Sequence, residues 1–103
     1  MCSIEEKMDL ELFMIPSKGY ALVDFYASWC SPCKAVAPFF EELKNKYSNV
    51  KFLKCNIDDN REIALKYKIE SIPAFILFQD GVEKDRLVGA NKVKMEEMVS
   101  NLN

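Results

Sequence analysis

The chain contains no histidine, the side chain that most often exchanges protons at neutral pH. Any proton transfer at a catalytic site must therefore use another group, such as a carboxyl whose pKa is raised by burial. The missing histidine also argues against zinc, which needs four ligands. Cys30 and Cys33 are closely spaced, but Cys2 and Cys55 are far apart in the sequence and do not form a second pair.

Long hydrophobic runs and an excess of one charge are also missing. No segment approaches the roughly 20 apolar residues of a membrane span, and Glu5, Glu6 and Lys7 interrupt any signal-peptide core near the start. The 14 basic and 16 acidic residues are interleaved and give a net charge of −2, so no basic stripe indicates nucleic acid. We therefore expect a cytoplasmic protein that binds neither nucleic acid nor membranes.

The length of 103 residues is enough for one domain, and half of the residues are hydrophobic. We expect a single domain over residues 1–103. The cysteines do not suggest the disulfide framework of a small secreted protein, because one close pair and two distant thiols are typical of a reducing compartment. Cys55 lies in an apolar stretch and is expected to be a small buried hydrophobe.

Helical and strand patterns alternate along the chain. Asp80 and Gly81 are a hairpin-turn signal, so the strands on either side are expected to pair antiparallel. The predicted elements are a helix over 6–14 (with a strand over 1–4 as the alternative), a strand over 20–27, a helix over 32–47, a strand over 50–57, a helix over 60–67 capped by the segment Asp58–Asn60, strands over 74–78 and 82–88, and a final helix capped by Asn91. The order (β)αβαβαββα predicts an α/β fold, a central mixed sheet with helices on both faces.

The segment Trp29–Lys34 carries the most informative chemistry. It follows the apolar strand over 21–27 directly and opens a helix. Cys30 and Cys33 are three residues apart at this junction, so they can close a small disulfide and reopen it, which is the arrangement of a redox catalyst. Asp24 interrupts the apolar strand, and a carboxyl buried there can act as a proton acceptor.

Several segments of the chain resemble the thioredoxin family. They occur in the family's order and spacing, and they are Val23–Lys34, Pro38, Asn56–Asp58, Ser71–Pro73 and Val88–Ala90. Two positions depart from the family pattern, since Ser31 stands where glycine is usual and Tyr26 where tryptophan is often found. The resemblance implies a thioredoxin fold, with a mixed sheet of five (or four) strands flanked by four helices, and a protein thiol–disulfide oxidoreductase. The family varies the dipeptide between the cysteines to tune the redox potential, so Ser31 leaves the potential and the partner set open.

The resemblance also implies a role for each residue of the motif. Cys30, at the helix start, is the expected nucleophile, because the positive end of the helix dipole favours its thiolate and Lys34 adds a positive charge. Pro32 suits the first turn of the helix and tunes the redox behaviour. Cys33 is expected to be the less exposed thiol and to resolve the mixed disulfide by attacking Cys30.

Proton transfer is implied to involve the strand behind the cysteines. Asp24 would lie behind Cys33 and accept its proton through water. Lys54, in the neighbouring strand, resembles the lysine that accompanies this aspartate. Its charge would lower the pKa of Asp24, whereas burial would raise it, and the sequence leaves the balance open.

A second part of the expected site binds the client protein. The peptide bond before Pro73 is implied to be cis, and this turn would pair with an extended client segment by strand addition. The residues assigned to client binding are Trp29, Ser31, Ile72, Pro73, Val88, Gly89 and Ala90. A flat apolar rim of this kind accepts many partners, which suits a general disulfide reductase.

The resemblance further implies that no cofactor is bound and that electrons come from NADPH through a flavin-containing thioredoxin reductase. Expected clients are peroxiredoxins, methionine sulfoxide reductases and ribonucleotide reductase, and the protein is expected to be a monomer. Two alternatives stay open. One is a specialised donor to a single client, or a glutathione-coupled oxidoreductase, which Ser31 motivates. The other is a non-catalytic binding module built on the thioredoxin fold.

Overall fold

The computed structural model describes residues 15–102. Its elements are β1 (Tyr20–Tyr26), α1 (Ser31–Lys46), β2 (Val50–Asn56), α2 (Arg61–Lys66), β3 (Ala74–Gln79), β4 (Val82–Val88) and α3 (Lys92–Ser100). The elements predicted from residue 20 onward are all present, and the predicted ends agree within one residue. The predicted helix over 6–14 and the alternative strand over 1–4 lie outside the described residues. Between residues 15 and 102, no helix has the length and apolar character needed to cross a bilayer.

The sheet is mixed, as predicted, and β1 lies in its interior. The strand order is β2-β1-β3-β4. β1 is parallel to β2 and antiparallel to β3, while β3 and β4 form the expected antiparallel hairpin. β1 suits an interior position because its side chains are buried on both faces. β4 lies at an edge, and its exposed charged side chains protect that edge from further pairing.

Helices cover both faces of this sheet. On one face, α1 and α3 bury Phe40 and Met95 against strand residues such as Leu22. On the other face, α2 contributes Ile63 to a second cluster built on β1, β2 and β3. Cys55 belongs to that second cluster and is fully buried, so the prediction of a small buried hydrophobe is confirmed.

Turns and caps follow the sequence signals with one exception. Asp80 and Gly81 both have positive φ values, 53° and 85°, as a tight two-residue hairpin turn requires. Asn91 caps α3, because its side chain accepts a hydrogen bond from a backbone N–H of the first turn at 3.0 Å. Asn60 occupies the cap position of α2, but its side chain does not cap the helix and instead donates to the carbonyl of Asn56 at 3.1 Å.

The pairing brings several chain segments to one end of the sheet. The parallel strands β1 and β2 finish together, where Tyr26 is paired with Asn56. β3 runs the opposite way, so its first residue, Ala74, lies beside Phe25 and is paired with Val88 at the end of β4. The start of α1, the turn before β3 and the end of β4 therefore meet at this end.

Candidate active site

Cys30 and Cys33 form a disulfide at the start of α1. Cys30 is the cap residue of the helix, with an extended backbone (φ −91°, ψ 107°), and Cys33 lies in the first turn. The Cα atoms are 5.3 Å apart. Both cysteines are 4% exposed in this disulfide form. The expectation that Cys33 is the less exposed of the two is therefore wrong for this form.

The local environment of the Cys30 sulfur favours a negative charge. Its Sγ accepts a hydrogen bond from the backbone N–H of Cys33 at 3.2 Å, as a capping oxygen would. Pro32 occupies the first turn, where a residue without an N–H costs nothing. The side chains of Ser31 and Lys34 are exposed beside the pair. A thiolate at this position would gain from the helix dipole and from the nearby lysine.

Asp24 lies in the middle of β1 and is 1% exposed. Burial raises its pKa from 3.8 to about 7, and the positive charge of Lys54 opposes that rise only partly. Desolvation therefore wins the competition that the sequence left open. Within residues 15–102, the Oδ1 atom of Asp24 has no hydrogen-bond partner.

Asp24 and Cys33 both line a cavity of about 200 Å³. Its walls are formed by Asp24, Tyr26, Ala27, Ser28, Cys33, Lys34, Ala37 and Lys54. Asp24 and Cys33 thus line the same cavity. A carboxyl with a pKa near neutrality therefore lines the same cavity as one of the two cysteines.

Lys54 is paired with Asp24 across β1 and β2, but its side chain is exposed. Its ammonium nitrogen lies 5.0 Å from the centre of the Tyr26 ring, within the range of a cation–π interaction. Water screens the charge of an exposed lysine, which explains why its effect on Asp24 is the smaller one.

The turn before β3 faces the cysteines. The peptide bond between Ile72 and Pro73 is cis, as the resemblance implied, and Ile72 packs against the cluster that contains the cysteine pair. The carbonyl of Pro73 accepts a hydrogen bond from the N–H of Gly89 at 2.8 Å. Gly89 has a φ of 107°, a conformation that side-chain-bearing residues rarely adopt. Val88 and Ala90, on either side of Gly89, are exposed.

Trp29 precedes Cys30 in the chain and is 66% exposed. The sequence did not predict the hydrogen-bond partner of its ring. Its ring N–H donates to Oδ2 of Asp58 at 2.8 Å. Asp58 follows β2, and its backbone N–H donates a hydrogen bond to Oδ1 of Asn56 at 2.9 Å. This contact could have been predicted from the parallel pairing of β1 and β2, which places the residues after both strands at the same end of the sheet.

The described residues offer no support for a zinc site. Among residues 15–102, no three cysteine or acidic side chains are close enough together to hold a metal ion. Cys30 and Cys33 are joined to each other, and Cys55 is buried in the cluster under α2.

A cysteine pair at a helix start, a buried carboxyl behind it and a cis-proline turn beside it define a thiol–disulfide oxidoreductase that acts on proteins. Residues 5–102 match the family model "Thioredoxin". The chain belongs to the thioredoxin family.

Similar proteins agree with this assignment. The chain is 44% identical over 90 residues to "Thioredoxin Asp f 28" of Aspergillus fumigatus, and the match covers 85% of the chain and 82% of that relative. It is 43% identical over 88 residues to "Thioredoxin-like protein 1" of Schizosaccharomyces pombe, covering 84% of the chain but only 30% of that longer relative. The crystal structure of Fasciola hepatica thioredoxin is similar with a TM-score of 0.86 at 39% identity, covering 93% of each chain.

Proposed function

We propose that this chain reduces disulfides in client proteins by a two-step exchange. The thiolate of Cys30 attacks one sulfur of the client disulfide, which forms a mixed disulfide and releases the first client thiolate. The thiolate of Cys33 then attacks Cys30, which releases the second client thiolate and leaves the Cys30–Cys33 disulfide. Two electrons pass to the client. The observation that carries this proposal is the disulfide between Cys30, the cap residue of α1, and Cys33 in the first turn of that helix.

Asp24 is the proposed proton acceptor for the second step. Cys33 must lose its proton before it can attack, and the Asp24 carboxyl shares a 200 Å³ cavity with it. With a pKa of about 7, Asp24 is partly ionised at neutral pH and can accept a proton and return it. Lys54 moderates the pKa of Asp24 through its charge. Polar groups and sufficient room make the cavity suitable for a bridging water.

Client binding is proposed at the turn before β3. Within residues 15–102, the N–H and C=O of Ile72 bind no other group, so they are available to an extended client segment. The carbonyl of Pro73 is already occupied by Gly89, which holds the end of β4 against this turn. Trp29, which precedes Cys30 in the chain, and Val88, which is paired with Ala74 at the start of β3, are exposed and would supply apolar contact to a client. Ser31 and Ala90 complete the proposed rim.

We infer the electron source and the partners from the family. A flavin-containing thioredoxin reductase that uses NADPH would reduce the Cys30–Cys33 disulfide, so the chain itself needs no bound cofactor. Peroxiredoxins, methionine sulfoxide reductases and ribonucleotide reductase are the proposed clients. The interleaved charges and the reducing environment that a dithiol requires support a cytoplasmic monomer that binds neither nucleic acid nor membranes.

A reductase-coupled assay tests this function. Reduction of a disulfide-linked polypeptide such as insulin is followed as NADPH oxidation in the presence of thioredoxin reductase. We expect turnover with the native chain, no turnover with Cys30→Ser, and native turnover with Cys55→Ala, a cysteine variant outside the site. A chain that supports no NADPH oxidation with any thioredoxin reductase would not be a general reductase.

Ser31 favours a second candidate, the specialised or glutathione-coupled oxidoreductase. The redox midpoint of the Cys30–Cys33 pair separates the two. The protein is equilibrated against graded dithiol buffers, alkylated and weighed by mass spectrometry. A midpoint clearly more reducing than the glutathione pool supports the general reductase, and a midpoint well into the oxidising range supports disulfide donation. If a Cys30→Ser, Cys33→Ser double variant still rescues cells that lack the native chain, the chain acts instead as a binding module.

A further inference from the structure

Three side chains on two neighbouring strands line the cavity behind the disulfide. Asp24 and Tyr26 are two residues apart on β1, so they point to the same face of the sheet. Lys54 is the direct partner of Asp24 on β2. All three line the same cavity as Cys33. A lysine between an aromatic ring and a buried carboxyl can interact with both.

The contacts show what holds Lys54 in place. Its ammonium nitrogen lies 5.0 Å from the centre of the Tyr26 ring. No ion pair or hydrogen bond of the Lys54 side chain is found within residues 15–102. An exposed lysine has several rotatable bonds and a high conformational entropy. Among the interactions of the described residues, the cation–π contact is therefore the one that restricts the position of the ammonium group.

We propose that Tyr26 is a positioning residue for the proton-transfer step: its ring holds the ammonium group of Lys54 near Asp24. This inference rests on the proposed role of Asp24 in the function above. The family often has tryptophan at this position, and the face of either ring can hold a cation. The ring does not touch the reacting sulfur in this role and acts only through Lys54.

The other groups around Asp24 leave Lys54 as its main electrostatic partner. From β3, the residue opposite Asp24 is Phe75, which carries no charge. From α1, Cys33 and the exposed Lys34 line the cavity, but among residues 15–102 only Lys54 lowers the pKa of Asp24 through its charge. A change in the position of Lys54 should therefore be detected directly in the titration of Asp24.

Two effects of removing the ring have opposite signs, which makes the proposal testable. If the ring positions Lys54, its loss lets the ammonium group move into solvent, and the pKa of Asp24 rises. If the ring only shields Asp24 from water, its loss admits water, and the pKa of Asp24 falls. The direction of the change thus distinguishes positioning from simple burial.

The experiment is a direct titration of the Asp24 carboxyl carbon by NMR in the oxidised protein, where Cys30 and Cys33 do not titrate. The signal is assigned with Asp24→Asn. We expect Tyr26→Leu to raise the pKa of Asp24 by about half a pH unit, and Tyr26→Phe, which keeps the ring, to leave it unchanged. Lys54→Met should raise it at least as much as Tyr26→Leu does. Tyr26→Met is a second variant without a ring, used if Tyr26→Leu does not fold.

A double variant provides the decisive control. In a Lys54→Met background, Tyr26→Leu should leave the pKa of Asp24 unchanged, because the lysine through which the ring acts is gone. In the presence of Lys54, a fall or no change in the pKa of Asp24 after Tyr26→Leu would overturn the proposal. An equal rise in that pKa with and without Lys54 would also overturn it. The titration requires no turnover, so failure here would leave the proposed disulfide reduction standing. Absence of turnover in the native chain would instead overturn the proposed function and with it the proton-transfer role, while the titration would still report whether the ring holds Lys54 near Asp24.

Discussion

The helices α1 and α3 begin with nearly the same cap geometry but different atoms. The cap residue of α1 is Cys30, with φ −91° and ψ 107°, and the cap residue of α3 is Asn91, with φ −93° and ψ 99°. Each side chain accepts a hydrogen bond from a backbone N–H of the first turn, at 3.2 Å from Cys33 and at 3.0 Å from Lys94. The same structural device therefore supports a sulfur at one helix and an amide oxygen at the other.

The surroundings decide what each cap can do. Asn91 is exposed, and its oxygen satisfies the helix end and nothing more. Cys30 is 4% exposed and is joined to Cys33 in front of a cavity that contains a buried carboxyl. A position that normally stabilises a helix is here the proposed position of the nucleophile, because the N–H groups that satisfy a capping oxygen also stabilise a thiolate.

The largest expected effect comes from exchanging the cap atom at α1. Cys30→Ser keeps a good capping residue but removes the sulfur. We expect disulfide reduction to fall to the level of the buffer, while the melting temperature stays close to that of the reduced native chain. Asn91→Ser, the matched exchange at α3, should leave turnover unchanged. Residual turnover in Cys30→Ser would show that the cap sulfur is not the nucleophile.

A large effect on stability is expected from the carboxyl behind α1. Burial raises the pKa of Asp24 from 3.8 to about 7, so the folded chain binds more protons than the unfolded chain between these values. Stability should then fall as the pH rises from 4 to 7, by roughly 4 kcal/mol for a shift of this size.

Asp24→Asn removes this loss. Its free energy of unfolding should match that of the native chain near pH 4 and exceed it increasingly up to pH 7, with a constant difference above. Urea denaturation at a series of pH values measures this difference. A difference that does not depend on pH would contradict the raised pKa of Asp24.

A smaller effect is expected at the α3 cap. Asn91→Ala leaves a backbone N–H of the first turn without its partner and should lower the free energy of unfolding by about 1 kcal/mol. Turnover in the coupled assay should not change, since this cap only stabilises the helix. A loss of turnover in a fully folded Asn91→Ala variant would show that the α3 cap affects disulfide reduction and does more than stabilise its helix.

The smallest expected effect concerns the exposed charge near the α1 cap. Lys34→Met should slow the alkylation of reduced Cys30 by about twofold at low salt, because less of the thiol is ionised, and the effect should shrink as salt is added. Lys44→Met, at the far end of the same helix, is the control and should leave the rate unchanged. Equal effects of both substitutions would point to net charge instead of local placement.

The sequence predicted most of the fold because its local signals were strong. The apolar run that became β1, the turn at Asp80 and Gly81, and the cap at Asn91 are short-range patterns, and the structure confirms all three. Asn60 shows the limit of such patterns. It stands at the cap position of α2, but the nearby carbonyl of Asn56 attracts its side chain instead.

The site was less predictable where it depends on residues distant in sequence. The hydrogen bond between Trp29 and Asp58 joins residues 29 positions apart, and it follows only once β1 and β2 are known to be parallel. The pKa of Asp24 depends on the competition between burial and Lys54, and only the exposed position of Lys54 explains why burial wins. The equal exposure of Cys30 and Cys33 likewise required the disulfide geometry.

The most direct test of the central claim is to trap the mixed disulfide. Cys33→Ser is reduced, mixed with a dimer of two peptides joined by one disulfide, and analysed by mass spectrometry after proteolysis. Because this variant lacks the resolving thiol, we predict a stable adduct in which one peptide of the dimer is bound to Cys30 and the other is released as a thiol. An adduct on another cysteine, or none while the native chain reduces the same dimer, would contradict the assignment of the α1 cap as the nucleophile.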